Sequence, residues 1–480
     1  MKHRITVSGQ VIPTGHQENL LEVLRRNGLA PDAPCGGNGV CGKCRVMVNG
    51  EEVRSCQYAV DSDISVTLPQ RAKTEVLTAG AAAAISADPV QAGYLAAFDI
   101  GTTTVVCFLM SPDGKELAVE SMLNPQQPFG ADVVSRIQRS RKGDRDALTS
   151  VIRSGMCDLL ERCCEKAGIQ PKEIGVVSVV GNPCMQQLFF GMKVDNLATV
   201  PFAPAITKTD IFSAKEYLPL CENADLLVVP DISGYVGADT MSCVLATRMY
   251  EAEDTVLMVD IGTNGEMVLA HGGRMVACST AAGPALEGAN IQFGMRGSVG
   301  AIDHVTKSGC TVIGGGEAVG ICGSGLIDAV AVMLEKGILN KRGRVQTEDH
   351  NYSLTDKIYL TQDDIRQVQM AKGAIAAGIH LMADYLGITV CDIDRVILAG
   401  AFGSFMNPDS ACRIGLLPEE LQGKITAAGN IAGSGSKMLA LNQEQLALTQ
   451  KLVEQVEFLE LASLPAFQRT FAKNMSFREG

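Results

Sequence analysis

The hydrophobic rhythm of the chain changes twice. Through residue 70 short alternating runs dominate. ITVSGQVI reads as a strand and turn, CRVMVNGEEVRS as two strands joined at Asn49-Gly50, and ISVTLP as a last strand. Between them ENLLEVLRRNG spaces its apolar residues as a short amphipathic helix that ends at Gly28. Strands wrapped around one helix predict an α+β, β-grasp domain over residues 1–70. From 71 to 93 the sequence turns to TAGAAAAISADPVQAG, small residues without apolar period. That is linker composition, with a reach of about 70 Å if extended.

Beyond the linker, near-continuous apolar strands alternate with helical patterns to the C-terminus, which predicts an α/β fold. In DDIRQVQMAKGAIAAGIHLMADYLG, Val368, Ile375, Ile379, Met382 and Leu386 fall on one helical face, and Thr361 with Asp364 forms a capping-box start. The same region repeats itself. YLAAFDIGTTTVVCFLM around Asp99 and TVLMVDIGTNGEMVLA around Asp260 are both apolar strand, D-I-G-T turn, apolar strand, about 160 residues apart. The echo predicts two related halves, 94–253 and 254–480.

Composition narrows the function. The 480 residues carry a net charge of -12, which repels nucleic acid and anionic lipid. No apolar run is long enough to span a bilayer and no signal peptide opens the chain, so a soluble, cytoplasmic protein is expected. Of sixteen cysteines, twelve scatter through apolar runs such as TVVCFLM, where they read as packing residues; Cys163 and Cys164 point apart on a helix. The other four, Cys35, Cys41, Cys44 and Cys56, crowd into one segment as C-x5-C-x2-C-x11-C.

That segment also reads G-x-x-x-x-G-K from Gly37, one residue short of a phosphate loop. Cys44 stands where Ser or Thr would bind magnesium, and a strand follows instead of a long helix, so the metal reading wins. Zinc is the rival ligand, but paired C-x2-C knuckles are missing. In each D-I-G-T turn, a buried strand delivers an aspartate to its end, glycine allows close backbone approach, and short polar side chains offer donors to phosphate oxygens. One such turn is an ordinary hairpin; two facing turns form a clamp for a polyphosphate, with the aspartates as magnesium-organising groups. A third segment, RVILAGAFGSFMNP, runs a strand into Gly400-Ala401-Phe402-Gly403, small enough for a flat ring to lie against the backbone.

This order, phosphate, phosphate, adenosine, resembles the actin, hexokinase and Hsp70 ATPase superfamily, whose two ribonuclease-H-like halves close on ATP and a divalent metal. NPQQPFGADVVSRI (124–137), VVGNPCMQQLFFG (179–191), GYVGADT (234–240), CSTAAGPALEGANIQFGMRG (278–297), ICGSGLIDAV (321–330), AKGAIAAGI (371–379) and AGNIAGSGSKMLAL (428–441) resemble reductive activators of corrinoid proteins. These join a [2Fe-2S] ferredoxin domain to an actin-like ATPase domain. The resemblance implies ATP-dependent delivery of one electron from a low-potential donor, through the cluster, to cob(II)alamin in a partner corrinoid protein, restoring cob(I)alamin for methyl transfer. It implies Cys35, Cys41, Cys44 and Cys56 as cluster ligands, with the loop glycines aiming N–H groups at the sulfurs. It implies Asp99, Gly101, Thr102, Thr103 and Thr104 as the first phosphate turn, Asp260, Gly262, Thr263, Asn264 and Gly265 as the second, and Gly400 and Gly403 beside adenosine. Asp99 and Asp260 organise Mg2+ and the attacking water on this reading.

Glu266, Glu287, Ser324 and Lys372 lie in the same motifs as ligand or scaffold. Glu287 caps a helix or touches ribose, and Lys372 reads by default as solvated. Larger activators carry an extra domain where this chain has only its linker, so monomer and homodimer stay open. A sugar or acetate kinase shares the ATPase halves but has no use for a cluster. An Hsp70-like or actin-like module is disfavoured because no sizeable peptide-binding region follows. An activator of 2-hydroxyacyl-CoA dehydratases holds one [4Fe-4S] cluster between two subunits, and iron and sulfide per chain separate it from the corrinoid reading.

Overall fold

The computed structural model describes residues 2–7, 9–31, 33, 35–39, 42–69, 80, 85–280 and 283–477. Most of the expected linker, and Cys41, lie outside the described residues.

The N-terminal unit is a five-stranded mixed sheet in the order Gln10–Gly15, Lys2–Val7, Ile64–Thr67, Arg45–Val48, Glu51–Arg54. Asn49 (φ 51°) and Gly50 (φ 90°) both take the left-handed conformation, which a two-residue hairpin with the twist of its strands demands. The helix Leu20–Arg26 lays Leu20, Leu21, Val23 and Leu24 on the sheet, burying all four. Asn19 caps its N-terminus and also donates to the Cys56 carbonyl at 2.8 Å, so one side chain ties the helix start to a cysteine.

Each later half repeats one sheet plan. In the first, Tyr94–Ile100, Thr104–Met110 and Glu116–Leu123 form an antiparallel meander, and Ile174–Gly181 and Asp225–Val228 add parallel strands beside Tyr94–Ile100. In the second, Val256–Ile261, Gly265–His271 and Arg274–Thr280 form the meander, extended in parallel by Arg395–Ala399 and Ile425–Ala427. Ile174–Gly181 is buried at all eight positions, because helices cover both sheet faces. The repeat inferred from the two D-I-G-T turns therefore extends to five strands of each sheet, in the actin-like manner; the sixth, Asp210–Ser213 in one and Val456–Phe458 in the other, is added at opposite edges.

The halves meet through the helices Ala238–Thr247 and Ile431–Leu441. Their sequences are rich in Ala, Gly and Ser where they cross, and backbones approach closely. Ser242 Oγ donates to the Ala432 carbonyl at 3.2 Å, and Ser436 Oγ donates to Phe98 O at 3.1 Å in the first sheet's central strand. A long helix, Gln362–Leu386, starts with the capping box of Thr361 and Asp364 and buries Val368, Ile375, Ile379 and Met382.

Lys372, on that helix, is not solvated. It is 2 % exposed and donates to Asn474 O at 2.5 Å and Ser476 O at 2.9 Å, with its ammonium 5.2 Å from the Phe477 ring centre. Two carbonyls at the end of Phe467–Met475 supply the acceptors, a helix C-terminus being a natural cation site. The lysine anchors the C-terminal helix and lies away from the interdomain cleft.

The helix crossing is testable at Gly435, where an added methyl group would overlap the Ser242 carbonyl oxygen. Alanine gains up to about 1 kcal/mol in helix propensity over glycine, whereas overpacking against rigid backbone costs about 1–3 kcal/mol. Gly435→Ala is therefore expected to lower the urea midpoint of the ATPase domain without changing the slope of the transition.

Candidate functional site

Between the two halves lies a cavity of about 610 Å³, within the range of small-molecule sites. The first wall is the turn after Tyr94–Ile100: Asp99, Gly101, Thr102, Thr103 and Thr104. The second is the turn after Val256–Ile261: Asp260, Gly262, Thr263 and Asn264. Gly400 closes one side, at φ 76°, with so little room that a Cβ there would sit 2.5 Å from Asp260 Oδ1. Glycine is required at this point because the backbone must pass directly over the carboxylate.

Two of the predicted residues stand off the cavity. Gly265 already belongs to the strand Gly265–His271, where its α-carbon packs near Thr280 and Ile375. Gly403 lies one helical turn beyond Gly400, inside the helix Gly400–Phe405, and packs on Leu398. Both are spacers that let neighbouring elements approach, and Phe402 and Phe405 join Gly400 in lining the cavity.

The electrostatics of the cavity are unusual. Asp99 and Asp260 face each other from the two halves, and Asp239, from the start of Ala238–Thr247, joins them. Burial pushes the Asp99 carboxyl up to about 7, opposed by the amide of Asn430, which donates to Oδ2 at 2.9 Å, and reinforced by the charge of Asp239. Burial, then Asp239 and Asp99, push Asp260 up to about 7, and burial pushes Asp239 up to about 6. Glu266 pairs directly with Asp260 across the antiparallel strands and is shifted upward by burial, Asp239 and Asp260. Like charges opposite each other in a sheet destabilise it.

Glu287 occupies the middle of the clamp. Thr103 Oγ1 donates to its two carboxylate oxygens at 3.2 and 3.3 Å, and Thr263 Oγ1 does so at 3.2 Å each, so one carboxylate bridges both turns. Burial raises its pKa, against the pull of Arg296 and the two hydroxyls. Behind the first turn, wholly buried Arg136 donates to Thr102 O at 2.5 Å and to Gly130 O at 2.9 Å, fastening the turn to the segment 124–132. Asn182 donates to Thr102 Oγ1 at 2.9 Å, and Ser324 Oγ to Asp303 O at 2.8 Å. Asn182, Asp239, Arg296 and Asn430 were not singled out from the sequence. Each nevertheless sits inside a quoted motif; Asn182 and Asn430 stand beside Gly or Pro where a strand gives way to a helix, and a polar residue at such a junction was the available signal.

The cysteine loop takes its shape from glycine. Gly36, Gly37, Gly39 and Gly42 have φ of 64°, 96°, 79° and 65°, which L side chains rarely adopt. A Cβ on Gly37 would lie 4.0 Å from Cys56 Cβ and 3.2 Å from Leu21, so the loop curls onto the last cysteine with little space to spare. Cys44 O is pinned by Ser55 through N–H and Oγ, both at 2.9 Å. This cradle suits thiolate ligands held from one loop and one strand end. At the three aspartates no lysine or arginine among the described residues offsets the charge. Nor do any three His, Cys, Asp or Glu among the described residues form a complete metal-ligand group by themselves. A magnesium ion fits such a place, since it takes one or two carboxylates and fills its other positions with water and phosphate oxygens. No helix among the described residues is long and apolar enough to cross a membrane.

Comparison with known proteins matches these two sites to one family. Residues 4–67 match the 2Fe-2S iron-sulfur cluster binding domain, 94–252 the RACo middle region, and 254–480 the C-terminal domain of RACo, the ASKHA domain. The chain is 29% identical to a corrinoid activation enzyme, RamQ, of Eubacterium limosum, over 96% of both chains. It is 26% identical to a Co(II) methylated amine-specific corrinoid protein reductase of Methanosarcina barkeri, over 80% of this chain and 77% of that one. A solved structure of a reductive activator for a corrinoid, iron-sulfur protein superposes with a TM-score of 0.72 and 26% identity, covering 99% and 98% of the two chains. With its cysteine cradle followed by a two-turn ATPase cleft, and with matches to all three regions in sequence, the chain belongs to the RACo family of [2Fe-2S] and ASKHA domain proteins.

Proposed function

We propose that the protein is an ATP-dependent reductive activator of a corrinoid protein, returning cob(II)alamin to cob(I)alamin. The observation that carries this reading is the union of a ferredoxin-type cysteine cradle with a cleft built from two facing D-I-G-T turns. In the cradle, Cys35, Cys41, Cys44 and Cys56 hold a [2Fe-2S] cluster, which supplies single electrons at low potential, near -400 mV for the plant type. An acceptor below that potential costs a factor of ten for each ~59 mV of one-electron gradient. ATP provides the coupled source.

In the cleft, the N–H groups and hydroxyls of Thr102, Thr103, Thr104, Thr263 and Asn264 meet the phosphates, and the nucleoside lies on the side lined by Gly400, Phe402 and Phe405. Asp99 and Asp260 would hold Mg2+, whose positive charge would let these carboxylates ionise beside Asp239. Asn430 keeps Asp99 aimed into the cleft while its own Oδ1 caps the helix Ile431–Leu441, so one residue couples the site to the helix crossing. A partner corrinoid protein and a low-potential electron donor complete the reaction.

Cys44→Ala is expected to bind ATP with wild-type affinity and to reduce no cob(II)alamin. Asp260→Ala is expected to keep the visible spectrum of the cluster and to lose ATPase activity by roughly 100-fold or more, on the scale of one deleted electrostatic group. Full-rate corrinoid reduction by Asp260→Ala would refute the coupling. Proton competition sets a further test. Without cation, the folded-state pKa values of about 7 for Asp99 and Asp260 exceed those of the unfolded chain, so their ionisation weakens the fold as pH rises toward 7. Mg2+ binds the ionised forms, so its affinity is expected to rise from pH 6 to 8 with proton release, measured by calorimetry in buffers of different ionisation heat.

A further inference from the structure

The ferredoxin-type domain is seated against both halves of the ATPase at the mouth of the cleft. Arg25, whose side chain is 2 % exposed, reaches out of its own helix: Nε donates to Pro128 O at 2.6 Å and Nη2 to Gly36 O at 3.4 Å, while its guanidinium lies 5.4 Å from the Phe129 ring centre. One arginine therefore holds the cysteine loop and the segment 124–132 together. On the other half, Lys43 donates to Gly294 O at 2.9 Å. A second bridge runs from Glu22 to Arg139 at 3.0 Å.

These two anchor points lead straight to the phosphate turns. Next to Pro128, Gln127 donates to Thr103 O at 3.0 Å and accepts from Arg296 Nη1 at 3.0 Å, and Arg296 is two residues beyond Gly294. Arg296 in turn faces Glu287, the carboxylate that bridges Thr103 and Thr263. A continuous polar path thus joins the centre of the cleft to the cysteine loop, and its inner end is a carboxylate where a phosphate would lie.

We propose that this path is a latch in which Arg25 and Gln127 are positioning residues, holding the ferredoxin-type domain on the cleft and releasing it when nucleotide enters. The inference rests on the functional reading above for the identity of the nucleotide. A phosphate group and Glu287 are both anionic and compete for the hydroxyls of Thr103 and Thr263. The incoming charge also draws Arg296 toward the phosphates and away from Gln127. Without that guanidinium the strap at Pro128 and Phe129 loosens, and Arg25 loses its acceptor. Release gives the cluster the freedom to approach a cobalt centre outside this chain. No bond is made or broken in the step.

Linkage makes the latch measurable away from the ATP site, because whatever nucleotide does to docking, docking does equally to nucleotide. In the full-length protein carrying its cluster, Arg25→Ala is expected to bind Mg2+ with a non-hydrolysable ATP analogue about 5-fold or more tightly than wild type, on the usual scale of coupling between sites. Arg25→Lys should restore part of the difference, and the visible spectrum reports whether the cluster domain has folded. In wild type, the analogue should speed hydrogen exchange in residues 20–26 and 127–132. Unchanged affinity in a folded Arg25→Ala protein, or analogue binding with no change in exchange, overturns the latch. Absence of analogue binding altogether overturns the ATP reading and the latch with it.

Discussion

Buried carboxylates that face one another across a cleft are the constraint on which the rest of this structure depends. Asp99 and Asp260 sit at the ends of the two central buried strands, Asp239 at the start of a helix that packs between the sheets, and Glu266 directly across from Asp260. Such an arrangement costs free energy, which is why burial raises all four pKa values, with neighbouring carboxylates adding to the rise at Asp99, Asp260 and Glu266. The fold tolerates it because each acid is mounted on an element that is over-determined elsewhere, by sheet pairing or by a helix crossing.

The same geometry explains why so many of the surrounding residues are small. Gly400 passes over Asp260, Gly435 passes Ser242, and Gly37 curls onto Cys56, each without space for a methyl group or with barely enough. Close approach of backbones keeps the two halves within reach of one ligand, over an apolar core that both halves share. Polar bridges add directional links across it: Asn430 from helix cap to Asp99, Glu287 from turn to turn, Arg25 from cysteine loop to strap. A ligand that rearranges one bridge acts on rigid elements, and displacement is transmitted instead of absorbed.

Much of this was legible in the linear chain wherever the signal was local. The Asn49-Gly50 hairpin, the capping box at Thr361 and the helix ending before Gly28 follow from turn and cap chemistry that neighbours in sequence decide among themselves. The paired D-I-G-T turns were legible because a strand-turn-strand unit is local and its repetition is visible without coordinates. Lys372 was misread as solvated since its acceptors, Asn474 and Ser476, lie about a hundred residues away. Gly265 and Gly403 looked like ligand-approach glycines, but which glycine abuts a cavity and which abuts a side chain is settled by packing from other elements.

By itself, then, the sequence determined the kinds of chemistry present: thiolates on a glycine-rich loop, aspartates delivered by buried strands, and a β-grasp domain joined to a duplicated α/β one. These depend on residue type, spacing and period, which survive in one dimension. The tertiary structure decided which acids share one cavity, that Glu287 bridges the two turns, and that Arg25 and Lys43 seat the cysteine loop on opposite halves of the cleft. Those are partnerships between residues as far as 251 positions apart, and charges so distant in sequence acquire an interaction only when folding removes the water between them.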